Sequence, residues 1–391
     1  MSAAIDPYDM LDIDHLLTAD ERAVRDTARE WVRGRILPEV EDWYERAEFP
    51  ARELAKELGE MGFLGMQLKT EGTLGLNAVG YGLVELELEA GDSGLRSFVS
   101  VTSALAMFAI HAFGSDEQQA QWLPRLTSGD AIGCFGLSEP DSGSDPGSMR
   151  TFARRDGDDW ILSGTKMWIT NGSVSDVAIV WANTDEGVRG FVVPCDAPGF
   201  SAPDIHKKMS LRASVTSELV MDDVRLPADA VLPGVEGLKG PLSCLNEARF
   251  GIVWGVMGAA RACFQTALEY AKERVQFGKP IAAFQLTQKK LADMALELQK
   301  GYLLALHLGR LKDQHRVRPE QISVGKLNNA RESLAIAREC RSILGGNGIT
   351  LEYPVIRHMN NLESVFTYEG TNEMHTLVVG EALTGIAAYR G

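Results

Sequence analysis

Cysteine is scarce: the chain of 391 residues has five, Cys134, Cys195, Cys244, Cys263 and Cys340. No pair has CxxC spacing and the number is odd. A disulfide framework or a zinc ribbon is therefore not indicated, and the usage fits a reducing compartment. The seven histidines form no HxxxH or HExxH, so a metal enzyme has no support. Basic residues are the minority charge, 39 Lys and Arg against 54 Asp and Glu, for a formal net charge of −15. Without excess positive charge to displace phosphate counterions, nucleic acid is disfavoured as the main partner. No apolar run reaches the roughly 20 residues of a membrane span. The N-terminus is acidic where a signal or transit peptide needs Lys or Arg. The chain reads as a soluble cytoplasmic protein. GxGxxG and GxxxxGK[ST] are both missing. The nearest glycine-rich stretch, Gly345-Gly-Asn-Gly348, follows a helical pattern, so a nucleotide here is not held by a strand–turn–helix phosphate cradle.

What is present is an ordinary globular mix, 45% apolar and 24% charged, long enough for two or three domains. Residues 1–130 read as an N-terminal α-helical domain. Thr18-Ala-Asp-Glu21 has the capping-box pattern, and Val24, Ala28, Trp31 and Val32 follow on one helical face. Pro38 stops or kinks that helix. Between 131 and 240, Gly, Ser, Asp and Pro punctuate short β-rich runs, which predicts a small central antiparallel β-barrel domain. Residues 241–391 return to helical rhythm in four long blocks, near 241–277, 284–313, 319–343 and 360–388, the pattern of a C-terminal four-helix bundle. The fold class is α+β multidomain. A doubly wound fold would alternate strands and helices from the start.

Four segments carry candidate chemistry. Phe135-Gly-Leu-Ser-Glu-Pro-Asp-Ser-Gly-Ser-Asp145 is dense in hydroxyls and small residues, which offers backbone N–H groups and hydroxyls to a polar ligand. Lys166-Met-Trp-Ile-Thr-Asn171 holds an amphipathic Trp168. Arg274-Val-Gln-Phe-Gly278 and Phe284-Gln285 present a guanidinium suited to paired phosphate oxygens. Thr367-Tyr-Glu-Gly-Thr-Asn-Glu373 places Glu369 beside Gly370, which lets a ligand approach the backbone.

Taken together, and in helix–strand–helix order from about residue 20 to 389, these segments resemble the acyl-CoA dehydrogenase family of FAD flavoproteins, and within it the branch that acts on glutaryl-CoA. The resemblance implies that Glu369 is the catalytic base, with Gly370 at the thioester and Thr371 at the FAD. It puts Phe135, Leu137 and Ser138 along the flavin, and Ser144 near the pyrophosphate and the substrate. Trp168, Ile169 and Thr170 pack on the flavin, with Thr170 close to N5. Arg274, Phe277 and Gln285, with Ser342, Leu344, Gly345 and Gly346, reach the FAD of a neighbouring subunit, which implies a homotetramer. Tyr389 matches a C-terminal aromatic near the flavin. Leu242, Leu245, Asn246 and Arg249 match the strip that contacts the acyl-CoA chain; Arg249 there either holds a structural ion pair or steers CoA.

The substrate expectation rests on Arg96 and Ser97, which match the far end of the acyl pocket. By resemblance they meet the distal carboxylate of glutaryl-CoA. An Arg–carboxylate pair is charge-assisted and directional, and a buried Arg without a partner is costly, so such a pocket rejects an uncharged tail. The implied reaction is oxidative decarboxylation of glutaryl-CoA to crotonyl-CoA and CO2, with electrons passed to an electron-transfer flavoprotein. The competing readings are a short-chain acyl-CoA dehydrogenase, a glutaryl-CoA dehydrogenase that stops before decarboxylation, and a non-catalytic subunit that keeps the fold.

Overall fold

The structure, a computed structural model, describes residues 5–389. Helix α1 (Ala19–Trp31) starts at the predicted capping box. Thr18 Oγ1 accepts from the Glu21 N–H at 3.2 Å, and the Glu21 carboxylate accepts from the Thr18 N–H at 2.8 Å. Before Pro38 the chain widens into a π-helical turn at Val32–Ile36, and α2 (Val40–Arg46) follows. Helices α3 (Ala51–Glu60), α4 (Ala78–Gly91), α5 (Ser93–Ser100), α6 (Phe108–Phe113) and α7 (Asp116–Thr127) complete this part. A π-helical stretch, Val101–Met107, fuses α5 and α6. The result is one helix, Ser93–Phe113, that by length and composition could cross a membrane. This corrects the expectation that no such segment exists. Ser, Thr and Arg96 break the apolar run in sequence without breaking the helix, and the helix is buried inside the protein.

The middle domain is β-rich, as expected. Strands β1 (Gly133–Gly136), β2 (Phe152–Asp156), β3 (Asp159–Thr170), β4 (Val177–Thr184), β5 (Gly187–Pro194), β6 (Phe200–Ser201) and β7 (Thr216–Leu226) form one sheet. The order is β1-β4-β2-β3-β7-β6, with β5 paired to β4. The sheet is mixed rather than wholly antiparallel: β1 runs parallel to β4, and β2 meets β4 in parallel at Phe152 and Asn183. The reason is the serine-rich loop. Residues 137–151 carry the chain away from β1 instead of turning back in a hairpin.

Helix α8 (Lys239–Glu273) opens the C-terminal part. A two-stranded ribbon, β8 (Val275–Gln276) and β9 (Lys279–Pro280), leads to α9 (Gln285–Asp313), α10 (Pro319–Leu344), α11 (Val355–Thr367) and α12 (Asn372–Thr384). The block expected near 360–388 is thus two helices, broken at Tyr368-Glu369-Gly370. Helices α4, α8, α9 and α10 share one apolar core that includes Val84, Leu88, Ile252, Met257, Leu298 and Ala337. Each such side chain contributes roughly 1.5–3 kcal/mol when fully buried. A carboxylate ties α4 to its neighbours: Glu87, buried, takes Arg261 through both oxygens (2.8 and 2.5 Å) and Arg29 at 2.8 Å.

Candidate active site

The break between α11 and α12 is built by cations. Lys326 of α10, fully buried, donates to the carbonyls of Tyr368 (2.8 Å) and Gly370 (2.7 Å). Arg249 of α8 donates through Nε to the Glu369 carbonyl at 2.7 Å, where His375 Nε2 also lies, at 3.3 Å. Three successive carbonyls are therefore held, and the backbone turns left-handed, with φ of 51° at Glu369 and 92° at Gly370. Gly370 is required there twice over. Its φ disfavours a side chain, and a Cβ would lie 2.8 Å from His375 Nε2. Thr371 then caps α12 by accepting from the Met374 N–H at 3.2 Å.

This geometry pushes the Glu369 side chain inward. Its Oε2 is buried with no hydrogen-bond partner. Burial raises its pKa above the ordinary carboxylate value, and Arg96, Arg249 and Lys326 pull against that rise. The group combines desolvation with nearby positive charge, as a base poised for proton transfer requires. Lys326 pays in turn: its burial lowers its pKa to about 7, although Glu369 opposes this.

Arg96 lies on the same side. It is buried and donates through Nε to Glu89 Oε2 at 2.8 Å and through Nη2 to the Tyr368 hydroxyl. Ser97 Oγ stands 3.3 Å from that hydroxyl, and Ser93 Oγ donates to Glu89 Oε1 at 2.9 Å. Arg96 therefore has a counter-ion, which corrects the expectation of a guanidinium that only substrate could pair. Discrimination at this end rests on donor direction, not on an orphaned charge. Glu89 and Tyr368 were not anticipated. Glu89 had a sequence signal, a carboxylate seven residues before Arg96 inside an apolar helix. Tyr368 is adjacent to Glu369, but nothing in the sequence turns it toward Arg96.

The serine-rich loop has its own internal anchor. Lys166, fully buried, donates to Glu139 Oε1 at 2.8 Å and to the Leu137 carbonyl at 3.1 Å, while Glu139 accepts from the N–H groups of Arg150 (2.6 Å) and Thr151 (2.9 Å). Phe135 and Leu137 are buried in the sheet core, Ser138 is half-buried and Ser144 is exposed. Across from it, the β3–β7 register slips between Lys166 and Ile169. Trp168 sits in that slip with φ of 64° and 61% of its surface exposed, while Ile169 is buried and Thr170 half-buried. A left-handed, uncovered Trp is costly on both counts. A flat aromatic ligand laid on it would offset part of that cost, and the hydroxyls of Ser138 and Thr170 supply polar contacts beside it. The residues fit an isoalloxazine.

The remaining cofactor candidates form a second group. Phe277 (94% exposed), Gln285 and Ser342 line an open cavity of about 820 Å³ with Phe284 and Leu286. No residue of the β domain lines it. Arg274, Gly345 and Gly346 are exposed. This group and the serine-rich loop therefore do not line a common cavity. Leu344 departs from expectation: it packs into the helical core, so its side chain is not available to a cofactor. On α8, Leu242 is exposed, Leu245 packs toward the sheet, and Asn246 accepts from Arg249 at 3.4 Å. Arg249 holds the Glu369 carbonyl, a role neither sequence alternative covered. Tyr389 closes the described chain and is partly exposed.

Comparison with known proteins matches the acyl-CoA dehydrogenase N-terminal domain over residues 18–130, the middle domain over 134–224 and the C-terminal domain over 236–384. A crystal structure of glutaryl-CoA dehydrogenase from Mycobacterium smegmatis superposes with a TM-score of 0.98 at 66% identity, covering 99% of this chain and 100% of that one. A second structure of a glutaryl-CoA dehydrogenase from the same organism, in complex with FADH2, matches at 64% identity with the same coverage and a TM-score of 0.98. The short-chain specific acyl-CoA dehydrogenase of Bos taurus mitochondria is 36% identical over 382 residues, 96% of this chain and 92% of that protein. The chain belongs to the acyl-CoA dehydrogenase family.

Proposed function

We propose that this acyl-CoA dehydrogenase oxidises and decarboxylates glutaryl-CoA, giving crotonyl-CoA and CO2, and passes the electrons to an electron-transfer flavoprotein. One observation carries the substrate: a buried Arg96 shares Tyr368 with the loop of Glu369, so a cation and a base meet in one interior region. The full-length similarity to glutaryl-CoA dehydrogenases supports the same reading.

The chemistry that bound FAD would supply is hydride acceptance from the β-carbon of the thioester. Trp168 and Thr170 would face the FAD ring, Ser138 and Ser144 its polar chain, and Arg274, Phe277 and Gln285 of a second subunit its far end. The protein's own groups do the rest. Glu369 removes the α-proton; its partnerless Oε2 is free to accept it. The carbonyls of residues 368–370 are held by Lys326 and Arg249, which fixes this left-handed turn; its Glu369 and Gly370 N–H groups would stabilise a thioester oxygen as it gains charge, while the Tyr368 N–H stays with the Ser364 carbonyl. Arg96 and Ser97 orient the far carboxylate. After oxidation that carboxylate leaves as CO2, its bonding pair passing into the conjugated thioester. Glu369, now protonated, returns its proton to the γ-carbon.

A second reading, a dehydrogenase of short uncharged acyl groups, is favoured by the Arg96–Glu89 pair, which neutralises the guanidinium without substrate. One experiment separates the readings. Holoenzyme mixed anaerobically with glutaryl-CoA should lose its yellow absorbance and release crotonyl-CoA with one CO2 per turnover. Glutaconyl-CoA without CO2 would show a non-decarboxylating enzyme, and bleaching by butyryl-CoA alone would show the short-chain one.

A further inference from the structure

Helix α4 is apolar overall, yet Tyr81, Glu85 and Glu89 recur along it every four residues and are buried on one face. Arg96 and Ser100, also four apart and buried, belong to the same interior cluster from α5. Helix α8 leaves room for it. A Cβ on Gly251 would lie 2.7 Å from the Tyr81 hydroxyl, and one on Gly255 would lie 2.2 Å from Glu89 Oε2. Glu89 is satisfied by Arg96 and Ser93. The rest is not: both oxygens of Glu85, the Tyr81 hydroxyl and Ser100 Oγ are buried without a well-made hydrogen bond, the Tyr81 hydroxyl lying toward both Glu85 and Ser100. Four buried polar atoms paired this weakly leave capacity for a polar occupant.

We propose that Glu85 is a specificity-determining residue of the acyl cavity, its carboxyl group donating a hydrogen bond to the same far carboxylate of a dicarboxylyl thioester that Arg96 engages. Glu85 has no cation of its own. The titratable groups around it are Tyr81 and Glu89 from α4, Arg96 from α5 and Glu369 from the α11–α12 turn, with Glu247 of α8 facing Tyr81. Burial disfavours an ionised Glu85; Arg96 pulls the other way but is already committed to Glu89 and Tyr368, and the Glu89 and Glu369 carboxylates add to the penalty. Glu85 stays an acid, and burial lifts its pKa to about 8. An acid offers the donor that a carboxylate requires, whereas a methyl terminus would leave all four atoms poorly paired.

This inference rests on the glutaryl-CoA reading. The test compares wild-type holoenzyme, Glu85→Leu and Glu85→Gln with glutaryl-CoA and butyryl-CoA between pH 6 and 9.5. Loss of one charge-assisted hydrogen bond should raise the KM for glutaryl-CoA about tenfold or more in Glu85→Leu at pH 7. The KM for butyryl-CoA should fall in the same variant. Glu85→Gln keeps a donor and should hold the glutaryl-CoA KM within about threefold of wild type at pH 7. It should also lose the rise in KM that wild type shows above pH 8. If both KM values rise together in Glu85→Leu, or the pH break persists in Glu85→Gln, Glu85 acts only through packing or an enclosed water and the inference is overturned. If wild type turns over butyryl-CoA but not glutaryl-CoA, the substrate reading falls and takes this inference with it.

Discussion

Arg96 and Glu369 were legible through the family resemblance of the segments that carry them; on local sequence alone, an Arg near a helix end and a lone Glu beside a Gly read as solvated groups. Their partners were not legible. Glu85 and Glu89 sit in a Glu-Leu-Glu-Leu-Glu run, and what they meet appears only once α8 packs on it through glycines. The pairing sharpens what a change at Arg96 should do. Arg96→Ala strands the buried Glu89 carboxylate, so it should lower stability by about 3–5 kcal/mol as well as harm glutaryl-CoA turnover. The double variant Arg96→Ala/Glu89→Gln relieves the stranded charge and isolates the substrate effect. In it, kcat/KM for glutaryl-CoA should fall about a hundredfold further than for butyryl-CoA. Equal losses on the two thioesters, measured side by side, would refute the substrate assignment.

At the scale of elements, the sequence conveyed helix rhythm and strand texture well and long-range pairing poorly. Periodicity located α1 and α8–α10 because apolar spacing is a local property. It merged α11 and α12, since only Lys326 and Arg249, from two distant helices, enforce the break that exposes Glu369 inward. It also could not foresee the parallel β1–β4 pair, which depends on where a loop returns. The Glu87 cluster shows how elements are locked: one carboxylate joins α1, α4 and α8. Arg261 and Arg29 hold its pKa down to about 2 against the opposing effect of burial. The folded value is depressed, so this group's stabilisation is present above its ordinary value near 4.5 and is lost as pH falls through 2. Glu87→Gln should therefore unfold at lower denaturant at pH 7, by about 3–5 kcal/mol, because Arg261 is left buried and unpaired. The gap to wild type should narrow steadily below pH 4.5. A gap that stays constant down to pH 2 would mean the charge contributes nothing.

Across the whole molecule, the proposed cofactor residues fall into two groups, one in the β domain and one beside the cavity at the α9 and α10 ends. The residues proposed to face the flavin ring belong to the β domain, while Phe277 and Leu286 are largely exposed beside the cavity that ends in Ser342. Large apolar side chains left this open mark a contact surface. The sequence pointed to these residues through resemblance, but their separation from the serine-rich loop is a property of the folded chain alone. The expected assembly is a homotetramer in which each flavin touches two subunits. Phe277→Asp should leave far-UV circular dichroism unchanged, since nothing in the chain packs over most of that ring. It should also shift sedimentation to smaller species and lower the flavin-to-protein ratio after gel filtration. Wild-type size together with full flavin content in that variant would contradict a shared site.

The account turns on the carboxylate at 369 as the group that starts the chemistry. The direct measurement is anaerobic rapid mixing of Glu369→Gln holoenzyme with glutaryl-CoA, following flavin absorbance. The variant should remain yellow, bind the thioester with a spectral shift, and show no bleaching on the timescale on which wild type is fully reduced. Bleaching at the wild-type rate would remove Glu369 as the base.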